Sequence, residues 1–116
     1  MSVELRASEA LRLWHQVSLE GVRSESPDLT QRQTAILLTV YLEAPPHTVR
    51  DLAKRLNVTK PVITRALDTM GALGLVDRHR DERDRRNVLV KRTVTGAVYL
   101  EKLGDRIIDC ARKLPR

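Results

Sequence analysis

The sequence predicts a mainly α-helical protein that carries one small β-hairpin, an α+β arrangement. Three observations support this prediction. Two short helical patterns are joined by a tight turn within residues 48–74, an extended segment with a charged turn follows at 75–92, and amphipathic segments lie at both ends of the chain. The 116 residues are enough for one domain. We therefore expect a single domain, 1–116, with a central lobe at 29–96 and terminal helices at 1–22 and 96–114.

The first helix of the pair is predicted to run from Val49 to Leu56. Thr48 precedes it, and its hydroxyl suits the N-cap because it can accept a hydrogen bond from the first turn. Asp51 then adds a carboxylate where the helix dipole favours one. Between the cap and the turn, apolar residues recur at three- and four-residue spacing, which predicts one buried face.

The second helix of the pair is predicted to begin after Thr59 as N-cap, with Pro61 in its first turn. Its apolar stripe is Ile63, Ala66, Leu67, Met70 and Leu73. The opposite face is Pro61, Thr64, Arg65 and Asp68. Short side chains around a single arginine suit a recognition helix that enters the major groove of DNA and pairs a guanidinium with guanine. An ordinary amphipathic hairpin of helices is the alternative.

The extended segment is predicted to form a β-hairpin. It begins at 75–77, turns at 81–86 and returns at 87–91, where the residues are β-branched or aliphatic. Residues 78–92 hold seven Lys or Arg and three acids, a net charge of +4 in a chain whose total is +6. A basic hairpin directly after a recognition-helix pattern indicates the wing of a winged helix-turn-helix fold, although a solvated loop also explains a run of charges.

Three segments carry a family resemblance: LTQRQTAILLTVY, TVRDLAKRLNVTKPVITRALDTMGALGLV and DERDRRNVLVKRTVTG. The last is the most specific, since Asp84 and Arg86 precede an aliphatic strand and a Thr-x-x-Gly. Over residues 29–96 the chain resembles the MarR family of winged helix-turn-helix transcriptional regulators. The resemblance implies that Asp84 and Arg86 form an ion pair that shapes the wing tip, and that Arg83 or Arg85 reaches the minor groove.

Two departures from the family pattern stand out. Arg92 occupies a position where the family usually has leucine, which puts the packing of that strand end in question. The chain is also shorter than most members, in which terminal helices build a dimer and a ligand cleft lies between that dimer layer and the DNA-binding lobe. The resemblance therefore implies a small-molecule effector less strongly here than for longer members.

Two sets of residues are predicted to contact double-stranded DNA. The groove contacts are Thr59, Lys60, Pro61, Thr64 and Arg65. The backbone contacts are Thr48, Lys54, Arg83, Arg85 and Arg86. The net charge of +6 and a pI near 10.1 suit a polyanionic partner, although ribosomal and membrane-surface proteins share this property.

The terminal segments carry more apolar residues than a small helical core can bury, so we expect a homodimer formed by these helices. The predicted dimer contacts are Val3, Ala10, Trp14, Leu103, Ile107 and Leu114. The alternative is that both helices only cover the core.

Other functional classes lack support in the sequence. No nucleophile with a base, paired acids, Gly-rich phosphate loop or metal-ligand spacing is present, so we expect no enzyme, no cofactor and no metal. Cys110 is the single cysteine and is predicted to be a buried structural thiol. Without an apolar span or signal peptide, we expect a cytoplasmic protein at the nucleoid.

The sequence thus predicts a bacterial, sequence-specific DNA-binding regulator, in particular a repressor that binds a pseudo-palindromic operator as a homodimer. An architectural, nucleoid-associated DNA-binding protein is one alternative. A winged-helix module for protein contacts is another.

Overall fold

The computed structural model describes residues 2–115. Its elements follow the order α1 (Ala7–Arg23), α2 (Gln31–Leu42), β1 (His47–Thr48), α3 (Val49–Leu56), α4 (Lys60–Ala72), β2 (Val76–Arg80), β3 (Val88–Arg92) and α5 (Val94–Arg112). The antiparallel sheet has the strand order β1-β3-β2. This arrangement confirms the predicted fold class, helices with a small wing.

Two compact units make up the chain. The central unit is Leu29–Leu100 and holds α2, α3, α4, the sheet and the start of α5. Among the described residues, the terminal unit consists of 2–28 and 101–115, and it holds α1 and the rest of α5.

The core of the central unit joins α2, α3, α4 and the sheet. Its buried residues are Ile36, Leu37, Val40, Leu52, Ala53, Ile63, Ala66, Leu67, Met70, Leu75, Val76 and Val90. The predicted stripe of α4 is buried except for Leu73, which is 43% exposed. For Leu73 the prediction was wrong: α4 ends at Ala72, and Leu73 is its C-cap.

The turn between α3 and α4 depends on backbone conformation. Asn57 adopts the left-handed region at φ 57°, which asparagine tolerates better than most residues. Its neighbour Val58 donates its N–H to the carbonyl of Ala53 at 3.0 Å, which closes the end of α3. As predicted, the Thr48 hydroxyl caps α3 and accepts from Asp51 N–H at 3.0 Å.

The start of α4 differs from the expectation. Thr59 occupies the N-cap position, but its side chain accepts no capping hydrogen bond. Pro61 lies in the first turn, as predicted. Because a proline has no N–H and its neighbours face solvent, this helix start requires less capping than the start of α3.

The sheet holds the hairpin at a fixed register. β2 and β3 pair from Val76 with Arg92 to Arg80 with Val88, so the charged segment 81–87 forms the tip. β1 adds a short edge by pairing His47 with Val90. The sequence did not indicate β1, since two residues are too few to show an alternating pattern.

The exit of the hairpin is a dense hydrogen-bond cluster. The Tyr41 hydroxyl lies 2.7 Å from both the N–H that Thr93 donates and the Thr93 carbonyl that accepts. The Thr93 hydroxyl donates to the Gly74 carbonyl at 2.7 Å and accepts from Gly96 N–H at 2.9 Å. A Cβ at Gly96 would overlap the Tyr41 hydroxyl and the Leu75 carbonyl oxygen. The Thr-x-x-Gly motif therefore requires its glycine for close approach.

The Arg92 side chain stays outside the core and contacts the end of α2 instead. Its Nε donates to the carbonyl of Val40 at 2.9 Å, and its Nη2 donates to the carbonyl of Glu43 at 3.2 Å. The guanidinium lies over the Tyr41 ring, 5.8 Å from the centroid. It thereby satisfies carbonyls that the end of α2 leaves without helical partners.

The terminal helices are displaced from their predicted bounds. α1 begins at Ala7, so Val3 precedes the helix and is 84% exposed, and α5 ends at Arg112, so Leu114 follows it. The prediction that these two residues are helical was wrong, because the apolar spacing continues past the residues that keep helical hydrogen bonds.

Cys110 is buried, as predicted, and its Sγ donates to Glu20 Oε2 at 3.5 Å. Burial raises the pKa of the thiol, and the neighbouring carboxylate raises it further. Both effects disfavour the reactive thiolate.

We predict that Gly96→Ala lowers the free energy of unfolding by about 1–3 kcal/mol, since the new methyl group is forced against the Tyr41 hydroxyl and a backbone carbonyl. Urea unfolding at one fixed protein concentration measures the change. Gly71→Ala is the matched control, because a Cβ there meets only the end of the Arg78 side chain at 3.9 Å. The control should be neutral or stabilise the helix by up to about 1 kcal/mol. Equal effects of the two substitutions would contradict the close-approach argument.

Candidate nucleic-acid interface

The face of α4 opposite the core is exposed along its length. Pro61, Thr64, Arg65 and Asp68 are all exposed, as the helical period predicted. Thr59 and Lys60 are exposed at the start of the same helix. The buried stripe holds α4 against the core from the other side. The fold therefore presents short side chains in the first half of the helix and one arginine at its middle.

A groove of about 240 Å³ runs between the first turn of α2 and α4. Its lining is Thr30, Arg32, Gln33, Val62, Arg65, Ala66 and Thr69. No acid contributes to it, and two arginines do. Arg32 was not among the predicted contacts, because only the fold places the start of α2 beside α4.

The wing tip is shaped by an ion pair, as the family resemblance implied. Arg86 Nε lies 3.0 Å from Asp84 Oδ1, and Nη2 lies 3.2 Å from Oδ2. The Arg86 backbone N–H also donates to Asp84 Oδ1 at 3.2 Å. These hydrogen bonds lower the pKa of Asp84, the side-chain contribution of Arg86 being the largest, and Arg50 adds a smaller electrostatic contribution. The Asp84 carboxylate therefore stays ionised at a lower pH than an ordinary aspartate does.

The remaining arginines of the tip stay available. Arg83 and Arg85 are exposed, and the side chain of Arg86 is 83% exposed despite its ion pair. Backbone groups fix the turn around them: Asp81 accepts from Arg83 N–H at 2.9 Å, and Arg80 Nη1 donates to the Arg85 carbonyl at 2.9 Å. The tip is therefore an ordered loop that presents several cations.

The two predicted DNA contacts at α3 and its cap differ in exposure. Lys54 is exposed, whereas Thr48 is buried and its hydroxyl is occupied by the helix cap. Thr48 is therefore a helix cap and not an exposed group for a DNA contact. Arg50 is exposed close to the wing, near enough to lower the pKa of Asp84. No sequence pattern indicated this proximity, since Arg50 occupies an ordinary solvent-facing position of the α3 pattern.

Residues 28–87 match the model of the MarR family. The match spans more than half of the chain and contains α2, both helices of the helix-turn-helix and β2 with the wing tip. The chain belongs to the MarR family. Members are transcriptional regulators, and this membership confirms the prediction that the chain is not an enzyme.

Solved structures of the family agree with the fold. A variant of E. coli MarR complexed with operator DNA is 29% identical, with a TM-score of 0.67 over 92% of this chain and 71% of that one. The transcriptional regulator Tm0710 from Thermotoga maritima is 28% identical, with a TM-score of 0.70 over 91% and 75%. The S. aureus MepR–DNA complex, at 23% identity and a TM-score of 0.71 over 92% and 82%, shows the same fold.

Two further findings concern residues 2–115. No helix in that range is long and apolar enough to cross a membrane. Nor does that range contain three or more His, Cys, Asp or Glu residues grouped for a metal ion.

We predict that Arg86→Gln raises the pKa of Asp84 toward the ordinary value of about 3.9, because the largest source of the lowering is removed. Carboxyl ¹³C chemical shifts during a pH titration measure this. A lowered carboxyl pKa stabilises the folded tip above the unfolded-state pKa, and that stabilisation disappears as the pH falls through the folded-state pKa. The loss therefore lies in the acid range below about pH 4.

Arg83→Gln is the control for this titration. It removes the same charge from the same loop, but its side chain has no hydrogen bond to Asp84 in the structure. The Asp84 pKa should move less in this variant than in Arg86→Gln. Equal movement would mean that the loop's net charge, rather than the ion pair, sets the pKa.

Proposed function

We propose that this MarR-family chain is a sequence-specific regulator of transcription that binds a pseudo-palindromic operator in double-stranded DNA as a homodimer. Repression by occlusion of a promoter is the proposed mode of action. The observation that carries the proposal is the exposed face of α4, with Arg65 at its middle, in the same compact unit as a basic, ordered wing. The operator complex of E. coli MarR supports it, since that relative is 29% identical.

Base recognition is assigned to α4. Its first half exposes Thr59, Lys60, Pro61 and Thr64, which are short or flexible enough to approach the floor of a major groove. Arg65 follows with a side chain that has no hydrogen bond or ion pair to another described residue. Its guanidinium is therefore free to donate to both acceptors of a guanine edge.

Backbone contacts are assigned to Lys54 on α3 and to the arginines of the wing, Arg83, Arg85 and Arg86. These exposed cations would fix the register of the protein on the duplex without reading sequence. Arg83 or Arg85 is the proposed residue in the minor groove, because Arg86 is held by Asp84. Arg50 and Arg32 extend the same cationic surface.

The proposed dimer rests on apolar surface that the single chain leaves exposed. In the terminal unit, Leu11, Trp14 and Val22 of α1 are 71%, 62% and 67% exposed. On α5, Ile107 and Ile108 are 36% and 50% exposed. Large apolar side chains concentrated on two helices favour burial against a second copy. A two-fold dimer would present two α4 helices to half-sites about one helical turn apart.

We predict that Arg65→Ala costs about 1–3 kcal/mol of operator binding and relaxes the preference at one base pair in each half-site. Arg86→Ala should instead weaken binding to specific and random duplexes by similar factors, because it loosens a wing that contacts the backbone. The measurement is competition binding at fixed salt against a set of single-base operator variants, the operator being first selected from random duplexes.

The pair of variants separates the candidate functions. If Arg65→Ala leaves the ranking of operator variants unchanged, α4 does not read bases through this residue. If the wild-type chain binds all duplexes equally, it is an architectural DNA-binding protein and not the proposed sequence-specific regulator. Failure to bind any duplex at low salt would indicate a module for protein contacts.

We further predict that Ile107→Glu dissociates the dimer and weakens operator binding together, since it places a charge in the proposed apolar interface. Light scattering at micromolar concentration measures the mass, and the binding assay measures the affinity. Lys102→Glu is the control on α5, because its exposed side chain lies roughly 140° around the helix from Ile107. A wild-type chain that is monomeric across this range would contradict the proposed dimer.

A further inference from the structure

The exposed face of α4 carries one acid, Asp68. It lies three residues after Arg65 and four after Thr64, so the three side chains share one helix face. The side chain of Asp68 is 63% exposed. A carboxylate at this place is unfavourable for a surface that approaches the phosphates of DNA, and helix geometry alone does not explain it.

The structure pairs this carboxylate with a cation from the wing. Arg78 Nη2 lies 2.8 Å from Asp68 Oδ1. Arg78 belongs to β2, where it pairs in register with Val90 of β3, and its side chain is only 33% exposed. The end of the same side chain also lies beside Gly71 of α4. Arg78 therefore extends from the base of the wing across to α4.

A contribution to folding stability does not explain this ion pair well. Ion pairs at a protein surface contribute weakly to folding, because water screens them and both side chains lose conformational freedom. The core and the β2–β3 register already fix the wing against α4. The pair does, however, have two electrostatic consequences for an approaching polyanion. It neutralises the negative charge of Asp68, and it prevents Arg78 from neutralising a phosphate.

We propose that the Asp68–Arg78 pair limits sequence-independent binding to DNA. Asp68 keeps the guanidinium of Arg78 away from the phosphates, and Arg78 masks the Asp68 carboxylate beside Arg65. Non-specific binding comes almost entirely from cation contacts with phosphates, so withholding one cation lowers it directly. The inference rests on the proposed function of α4 and adds to it a residue pair that sets the electrostatic affinity.

The first test is Asp68→Asn, which keeps the shape of the side chain and releases Arg78. Affinity for a random-sequence duplex of about 30 base pairs should rise. The slope of log affinity against log salt should steepen by about 0.9, because one more phosphate is neutralised. That slope change corresponds to a rise of up to about eightfold at about 0.1 M salt. A purely structural role for the pair gives the opposite sign, since its loss would then weaken binding.

The second test is Arg78→Gln, alone and combined with Asp68→Asn. Arg78→Gln should weaken binding because it uncovers the carboxylate, and the double variant should return to the wild-type affinity. If Arg78 instead contacts a phosphate directly in the wild type, the double variant stays weaker than the wild type, because the lost contact is not restored. That result would overturn the proposal.

Asp77→Asn is the matched control. Asp77 is the exposed neighbour of Arg78 on β2, on the other side of the strand, and its removal changes the net charge by the same amount. A similar gain in affinity from Asp77→Asn would show that net charge alone is responsible, against the proposal. Urea unfolding of every variant verifies that folding is unchanged.

Failure of this inference is distinguishable from failure of the proposed function. A wild-type chain that binds no random duplex even at low salt contradicts DNA binding itself. A wild-type chain that binds, with Asp68→Asn binding equally or more weakly, contradicts only the role of the pair.

Discussion

The packing of α4 into the core is the constraint on which the candidate interface depends. Ile63, Leu67 and Met70 are fully buried, and they prevent the helix from rotating about its axis. A helix fixed on one side presents a defined set of residues on the other, here Thr64 and Arg65. Because side-chain contacts to base edges tolerate little displacement, the interior of the central unit sets the precision of any recognition at its surface.

The wing is positioned by hydrogen bonds as well as by the sheet. Tyr41 of α2 and Thr93 hold the exit of β3, and Gly96 leaves room for the hydroxyl between them. Arg92 adds a link from the same strand to the end of α2. An arginine serves at this position because its partners are backbone carbonyls at the end of α2 and an aromatic face, and a leucine has no hydrogen-bond donor for those carbonyls.

Charge on the candidate interface is distributed unevenly between paired and free groups. Two acids within it are held by arginines: Asp84 by Arg86 at the tip, and Asp68 by Arg78 at the base of the wing. The first pair shapes the wing tip, and the second neutralises an acid beside the recognition face. The unpaired cations, such as Arg65, provide the contacts that a polyanion would meet. Formal net charge therefore describes this surface less well than the identity of its unpaired arginines.

The sequence alone determined the features that lie within single helices, strands and short motifs. Helical period separated the two faces of α4, strand propensity and charge located the wing, and the Asp84, Arg86 and Thr-x-x-Gly motif indicated the family. Only the tertiary structure decided which residues meet across elements. It buried Thr48, exposed Leu73, gave Arg92 its partners in α2 and paired Asp68 with Arg78. Periodicity describes one helix or strand at a time, whereas these outcomes depend on distances between segments that are remote in sequence, and no local pattern encodes such distances.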